Sequence, residues 1–224
     1  HALGYAKATG RPAVFLCTSG TAAANAMPAV VEASMARVPL LVITADRPPE
    51  LLDTGANQTI DQTKMFGDYV RWFFTLPCPD DRLPAESALT AVDHAVFRAT
   101  GVDSGPVHLN CMFREPLAPD PAPYNARACT GNLGSWFDGP FTHYDHPRVL
   151  PSAAGIERIV RTMLQTHRCL LVVGQLESER DMDAVEDLAR RLPWPVLADL
   201  TSGLRHAGAS RYLAAHYDQA LLSA

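Results

Sequence analysis

The chain of 224 residues carries a formal net charge of −5, with 47% hydrophobic and 19% charged residues. That length suits one large α/β domain, or one domain plus part of another, and the composition is that of an ordinary globular protein. The acidic balance argues against a nucleic-acid surface, and no apolar run approaches the length of a membrane span.

The first residues, His1–Lys7, read as helix and resemble neither a signal peptide nor a transit peptide. Ala13–Cys17 is a short apolar block of the kind that makes a buried strand. It runs into Thr18-Ser19-Gly20-Thr21, after which 22–37 has a helical pattern that Pro28 should kink or break. Leu40–Thr44 reads as the second strand, Val70–Phe74 as the third and Val107–Cys111 as the fourth. Between the last two, 84–100 is an amphipathic helix with Leu89, Val92, Ala95 and Val96 on one side. Strands alternating with helices imply a mostly parallel sheet covered on both faces.

From Leu117 to Pro123 the chain is proline-rich and extended in character. Residues 124–150 show no clear period, although Trp136, Phe137, Phe141 and Tyr144 need cover. A second α/β unit follows: a helix over 153–165 capped by Ser152, a strand at Cys169–Val173, a helix over 179–192 and a strand at Pro195–Asp199. The expected organisation is therefore one domain over 1–117, a linker and crossing segment over 118–150, and a second domain over 151–224. Gln219–Ala224 again reads as helix, so the chain looks like a fragment. Its five cysteines form no C-x-x-C pair. Cys17, Cys111 and Cys169 lie in or beside apolar blocks and read as small buried hydrophobes of a reducing compartment.

The stretch richest in chemistry is Thr44 to Gln62, T-A-D-R-P-P-E-L-L-D-T-G-A-N-Q-T-I-D-Q. It leaves a strand at the carboxyl edge of the expected sheet, where open α/β sheets bind ligands. Asp46, Arg47, Asp53, Asn57, Gln58, Asp61 and Gln62 can orient a small polar substrate. Pro48-Pro49 stiffens the exit, and Gly55 offers a positive φ. Arg47 can grip a carboxylate in two bonds or brace the loop through Asp46, Glu50 or Asp53. The turn Thr18–Thr21 suits an anion or polar ring at a helix N-terminus, or simply a hydroxyl cap. His143-Tyr144-Asp145-His146 lacks the spacing of a metal site, so no metal ligands are assigned. His108 reads as a satisfied core histidine, and Glu32, Asp93 and Glu115 as surface cover.

These residues carry a resemblance. Thr18–Asn25, Pro28–Ala33 and the string T-A-D-R-P-P-E-L-x-x-x-G-A-N-Q-x-I resemble the 2-succinyl-5-enolpyruvyl-6-hydroxy-3-cyclohexene-1-carboxylate synthases, the MenD family. Phe66-Gly67, Gly105–Asn110, Phe113–Leu117, Trp194-Pro195-Val196 and Ser202-Gly203 extend the likeness over nearly the whole chain. Gly4–Lys7 and Asn110–Leu117 look closest to the plant and algal version, part of a larger plastid protein. The resemblance implies a thiamine-diphosphate-binding α/β fold, with most of a pyrimidine-binding domain and the start of a Rossmann-like central domain.

It also implies a transferase of menaquinone or phylloquinone biosynthesis, which decarboxylates 2-oxoglutarate and adds the succinyl carbanion 1,4 to isochorismate. Thiamine diphosphate supplies the electron sink, and the protein supplies orientation. By the same likeness Thr18, Ser19, Gly20 and Thr21 border the cofactor. Arg47, Asn57 and Gln58 take substrate, and Asn57 and Gln58 also serve catalysis. The family's catalytic Glu lies upstream of His1, and its Mg²⁺ ligands lie beyond Ala224. A homo-oligomer, in the chloroplast stroma or the bacterial cytoplasm, is the implied setting. Two alternatives stay open: another thiamine enzyme of the acetohydroxyacid-synthase kind, or a non-catalytic remnant.

Overall fold

The computed structural model describes residues 1–80, 82–118, 139–147, 149–176, 178–205, 212–214 and 216–223. Cys129, Trp136, Phe137 and most of the proline-rich stretch expected to be extended lie outside the described residues. The chain divides into two compact units, His1–Pro147 and Arg148–Ala224.

The first unit begins with α1 (Ala2–Thr9), closed by Gly10 at φ 65°. Strand β1 (Ala13–Cys17) leads through the turn to α2 (Thr21–Ala24) and α3 (Met27–Met35). The helical stretch thus breaks at Asn25-Ala26, because Pro28 has no N–H to donate and sits comfortably only in a first turn. Then come β2 (Leu40–Asp46), β3 (Phe73–Leu76), α4 (Ala85–Ala99) and β4 (Pro106–Met112). The four strands form one all-parallel sheet in the order β1-β2-β4-β3.

Alternation along the strands sorts the core into two faces. Ala13, Leu40 and Val42 pack with Val30, Ala33 and Phe66 beneath α1 and α3, while Leu41, Val107 and Leu109 pack with Ala95 and Ala99 of α4. The small residues Ala26 and Ala33 belong to the first of these faces, and Ala23 is fully buried.

Two strands differ from expectation in ways that matter. β2 runs two residues further, so Asp46 is still in the sheet, paired with Met112 of β4. β3 is displaced toward the C-terminus and ends at Leu76, where Pro77 stops the ladder. Arg71 lies just before the strand: its N–H still donates to the Pro106 carbonyl at 2.7 Å, while its guanidinium reaches the Ser34 hydroxyl (2.8 Å) and carbonyl (3.0 Å) at the end of α3. Asp93 also has a partner: its carboxylate accepts the Thr142 N–H at 2.6 Å. This tethers the segment 139–147 along α4, with Tyr144 and His146 stacked on Phe97.

The second unit contains α5 (Ala153–Gln165), β5 (Leu171–Val173), α6 (Glu179–Arg191), β6 (Val196–Ala198) and α7 (Tyr217–Leu222). Ser152 and Ser178 cap α5 and α6 by accepting the N–H groups of Gly155 and Asp181. β5 and β6 pair in parallel over a small core of Val173, Ala189, Val196, Ala198 and Leu204. The cysteines partly depart from expectation. Cys17, Cys78, Cys111 and Cys169 are free thiols, but the buried one is Cys78 rather than any of the three in apolar blocks. Among the described residues no helix is long and apolar enough to cross a membrane.

Candidate active site

β1 and β2 are adjacent and parallel, so both release their chains at the same sheet edge. Thr18 follows β1 directly and is exposed, Ser19 is only 5% exposed, and Thr21 opens α2. Gly20 has φ 78° and ψ −140°, a conformation open in practice to glycine alone. Its Cα faces the Gln58 backbone so closely that an added Cβ would lie 3.1 Å from the Gln58 carbonyl oxygen. The polar loop therefore folds back onto the turn, and two of the predicted motifs meet there.

The loop is built from local devices. Pro49–Leu51 forms a single 3₁₀ turn, and the Thr54 hydroxyl caps it by donating to the Leu51 carbonyl at 2.8 Å. Gly55 takes φ 75° as expected, but Asp53 and Gln58 also take positive φ, at 59° and 57°. Arg47, half-buried just beyond β2, donates from Nε to the Asn57 carbonyl oxygen at 3.2 Å. Arg47, Asn57 and Gln58 thus lie in one loop closed on the turn. The side chains of Thr18, Ser19, Thr21, Asn57 and Gln58 make no hydrogen bond among the described residues, so their donors and acceptors are uncommitted.

Arg47 does not pair with Asp46, Glu50 or Asp53. Its Nη1 lies 3.7 Å from the exposed Glu115 carboxylate. The reason is the sheet: β2 and β4 are neighbours, and the Phe113 N–H still donates to the Asp46 carbonyl at 3.0 Å, so residues 113–115 leave beside the loop. Glu50 is taken by Arg114 in a two-bond pair, and those hydrogen bonds hold its carboxyl at about 2.

Two groups expected among the substrate-facing side chains turn inward instead. Asp46 is 4% exposed; its Oδ1 accepts the Arg47 N–H at 2.8 Å and its Oδ2 accepts from Asn110 Nδ2 at 2.7 Å. Gln62 is 1% exposed, with Oε1 accepting the Gly20 N–H at 2.7 Å. Gln62 Nε2 donates to the Ala45 carbonyl at 3.1 Å and to Asn110 Oδ1 at 2.8 Å. Asn110 was missed in the sequence because it looks like any polar residue in an apolar strand. An amide at that position in a buried strand signals an internal partner, since burying it unpaired costs several kcal/mol, on the order of 2–7.

The network extends to His108, and proton directions follow from its far end. The Asp46 carboxylate can only accept, so Asn110 must turn Nδ2 toward it and Oδ1 toward Thr44 and Gln62. Thr44 Oγ1 then donates to Asn110 Oδ1 at 2.8 Å and accepts from His108 Nε2, also 2.8 Å away. That leaves His108 Nδ1 as a bare acceptor, and it has no partner among the described residues. The histidine is in the core as expected, but only half satisfied, and burial pushes its pKa down to about 4.

The unfolded chain binds a proton at His108 near its ordinary value of 6.5, whereas the folded chain refuses it until about 4. Stability from this group is complete above 6.5 and is lost as pH falls through that window, by up to about 3 kcal/mol. Urea unfolding at pH 7 and pH 4 should show the loss, and His108→Gln, which keeps a donor for Thr44, should flatten it. An unchanged pH slope in that variant would remove His108 from the effect.

With this geometry in hand, likeness to known proteins is informative. Residues 1–65 match the family model described as thiamine pyrophosphate enzyme, N-terminal TPP binding domain. Over 209 residues the chain is 46% identical to the 2-succinyl-5-enolpyruvyl-6-hydroxy-3-cyclohexene-1-carboxylate synthase of Salinibacter ruber, covering 92% of this chain and 35% of that protein. It is 45% identical over 223 residues to the synthase of Rubrobacter xylanophilus, covering 99% of this chain and 38% of that one.

The chain belongs to this synthase family. A further relative is the Arabidopsis thaliana protein PHYLLO, chloroplastic, 45% identical over 211 residues that make up 92% of this chain and 12% of that one. The chain spans a little over a third of the length of the bacterial synthases it matches, 35% and 38%. The family match over 1–65 takes in both the turn and the loop, including Gln62. The α/β parallel sheet of the first unit is the fold expected of this thiamine pyrophosphate enzyme domain.

Proposed function

We propose that the whole protein is a thiamine-diphosphate-dependent transferase, which decarboxylates 2-oxoglutarate and joins the succinyl carbon to isochorismate by 1,4-addition. The observation that supports this reading is the closure of the loop onto the turn, where the Gln58 backbone meets Gly20 and Arg47 is tied to the neighbouring Asn57 carbonyl. In this reading His1–Pro147 is mainly the pyrimidine-binding part, and the second unit begins a central domain.

The turn fits the edge of a polar ring. Ser19 is nearly buried yet has no hydrogen-bond partner among the described residues, and the exposed hydroxyls of Thr18 and Thr21 flank it. The cofactor, when bound, supplies the electron sink for the carbon that loses CO₂. This chain supplies placement. Arg47 holds a substrate carboxylate, its fork only loosely engaged by Glu115. Asn57 and Gln58 donate to and accept from carboxylate or hydroxyl groups and keep the two reacting carbons in line. Mg²⁺ belongs to residues outside this chain, and the active assembly is a homo-oligomer, whether in a chloroplast stroma or a bacterial cytoplasm.

The test is consumption of isochorismate and release of CO₂ by the whole protein, supplied with 2-oxoglutarate, thiamine diphosphate and Mg²⁺. Acetolactate formed from pyruvate would instead select the acetohydroxyacid-synthase reading. No saturable thiamine diphosphate binding would select the non-catalytic one. Arg47→Lys keeps the charge and loses the planar grip, so kcat/KM for one substrate should fall roughly ten- to a hundredfold, as a charged hydrogen bond of about 1.5–3 kcal/mol implies. If Arg47 merely braces the loop, the melting temperature moves and both KM values stay.

A further inference from the structure

We infer that Gln62 is a positioning residue: it sets the substrate loop in register with the cofactor turn, acting through the Gly20 N–H rather than by touching a ligand. The inference rests on the function proposed above and extends it to a residue buried beneath the site.

Gln62 closes the loop that begins at Arg47, and its amide spans three elements at once. Oε1 takes the Gly20 N–H between β1 and α2, while Nε2 is shared by the Ala45 carbonyl of β2 and Asn110 Oδ1 of β4. Gly20 is thereby gripped from two sides. Its N–H points to Gln62, and its Cα bears the Gln58 backbone. Moving Gln62 therefore moves Gly20, and with it the contact that seats the Gln58 backbone on the turn. The amide's orientation is also fixed, because Asn110 is itself oriented by Asp46 and cannot offer a donor to Gln62. A side chain at this position must accept at one end and donate at the other, which an uncharged amide does and a carboxylate does not.

Two variants of the whole protein test this. Gln62→Leu keeps the volume and removes all three bonds. Its kcat should fall about ten- to a hundredfold, the usual scale for a displacement near 1 Å. Thiamine diphosphate affinity and both KM values should stay within about threefold, because no ligand contact is lost. Gln62→Glu is the second variant and covers the case in which Leu does not fold. Its ionised form faces two acceptors, so relative kcat should be highest at low pH, where the carboxyl can donate, and fall as pH rises. The titratable groups around it are Asp46, one bond further through Asn110, and His108, reached through Thr44. They are present in the native enzyme too, so the ratio of variant to native isolates the new carboxyl.

Native-like kcat in Gln62→Leu, or a loss confined to KM or cofactor affinity, overturns the inference. So does a Gln62→Glu to native ratio that does not change with pH. If the native protein shows no turnover of 2-oxoglutarate and isochorismate, the proposed function itself fails; native turnover with indifferent variants removes Gln62 alone.

Discussion

Gly20→Ala is expected to lose at least about a hundredfold in kcat/KM, the cost of displacing groups that must meet within an ångström. Two effects combine. A residue with a side chain held at φ 78° and ψ −140° is strained by about 1–3 kcal/mol. Its Cβ would also press on the Gln58 carbonyl oxygen at 3.1 Å and on Gln58 Cα at 3.3 Å, both backbone atoms with no rotamer to yield. On the function proposed above, either the turn unwinds, taking Ser19 and Thr21 from the proposed cofactor edge, or the loop lifts, taking Asn57 and Gln58 from the proposed substrate side. Kinetics in the whole protein and thiamine diphosphate titration distinguish the routes: weaker cofactor binding marks the first, intact binding the second. A Gly20→Ala enzyme within threefold of native would mean that the turn and the loop do not meet in the working protein.

Asn110→Leu should be the most damaging substitution for stability, at about 3–5 kcal/mol. The volume is preserved, so the loss is not a cavity effect. Asp46 Oδ2 is left buried without its donor, Gln62 Nε2 keeps only the Ala45 carbonyl, and the Thr44 hydroxyl loses its acceptor. Asn110→Asp places a second carboxylate against Asp46 and should be worse at neutral pH than in mild acid, where one of the two can protonate. Urea denaturation of the whole protein measures both. A loss under about 1 kcal/mol for the leucine variant, below the range for a single unmade buried bond, would show that water or rearrangement satisfies the network. The exposed pair Glu50–Arg114 is the contrast. It has two bonds, yet it lies in solvent and should matter little to folding.

Much of this was legible in the residues. The apolar blocks at Ala13–Cys17 and Leu40–Ile43 located two strands; β2 is buried on both faces as such a run implies, whereas β1, expected to be buried, lies at the sheet edge and leaves Val14 and Leu16 exposed. Pro28 announced the break between α2 and α3, since a missing N–H cannot be hidden in mid-helix. The loop and the turn were recognisable as separate motifs, but their meeting was not. It depends on Gln58 adopting a positive φ and on a glycine too small to resist, neither of which has a local signature. At β3 the aromatic run pointed to a strand that is present but starts at Phe73, although the Arg71 N–H still donates to the Pro106 carbonyl of β4. Asp46 and Gln62 looked like site residues for the same reason that they hold it together: both carry polar groups close to the sheet edge, and only the third dimension tells inward from outward.

The buried polar row has a consequence for how the sheet finds its pairing. Along β2 and β4, Val42, Thr44 and Asp46 share a face with His108, Asn110 and Met112, with Thr44 directly opposite Asn110. A slip of one residue is resisted by hydrophobicity alone, because it exchanges the two faces. A slip of two restores the faces, so strands made only of Val, Ile and Leu would hardly notice it. Here such a slip would break the direct Thr44–Asn110 pairing, and in the direction that carries Asn110 away from Asp46 it would also leave that carboxylate without its amide. The row therefore acts as a key cut for one alignment. In a four-stranded parallel sheet, whose partners must find each other across long stretches of chain, it rejects the near-miss that an oily interior would accept.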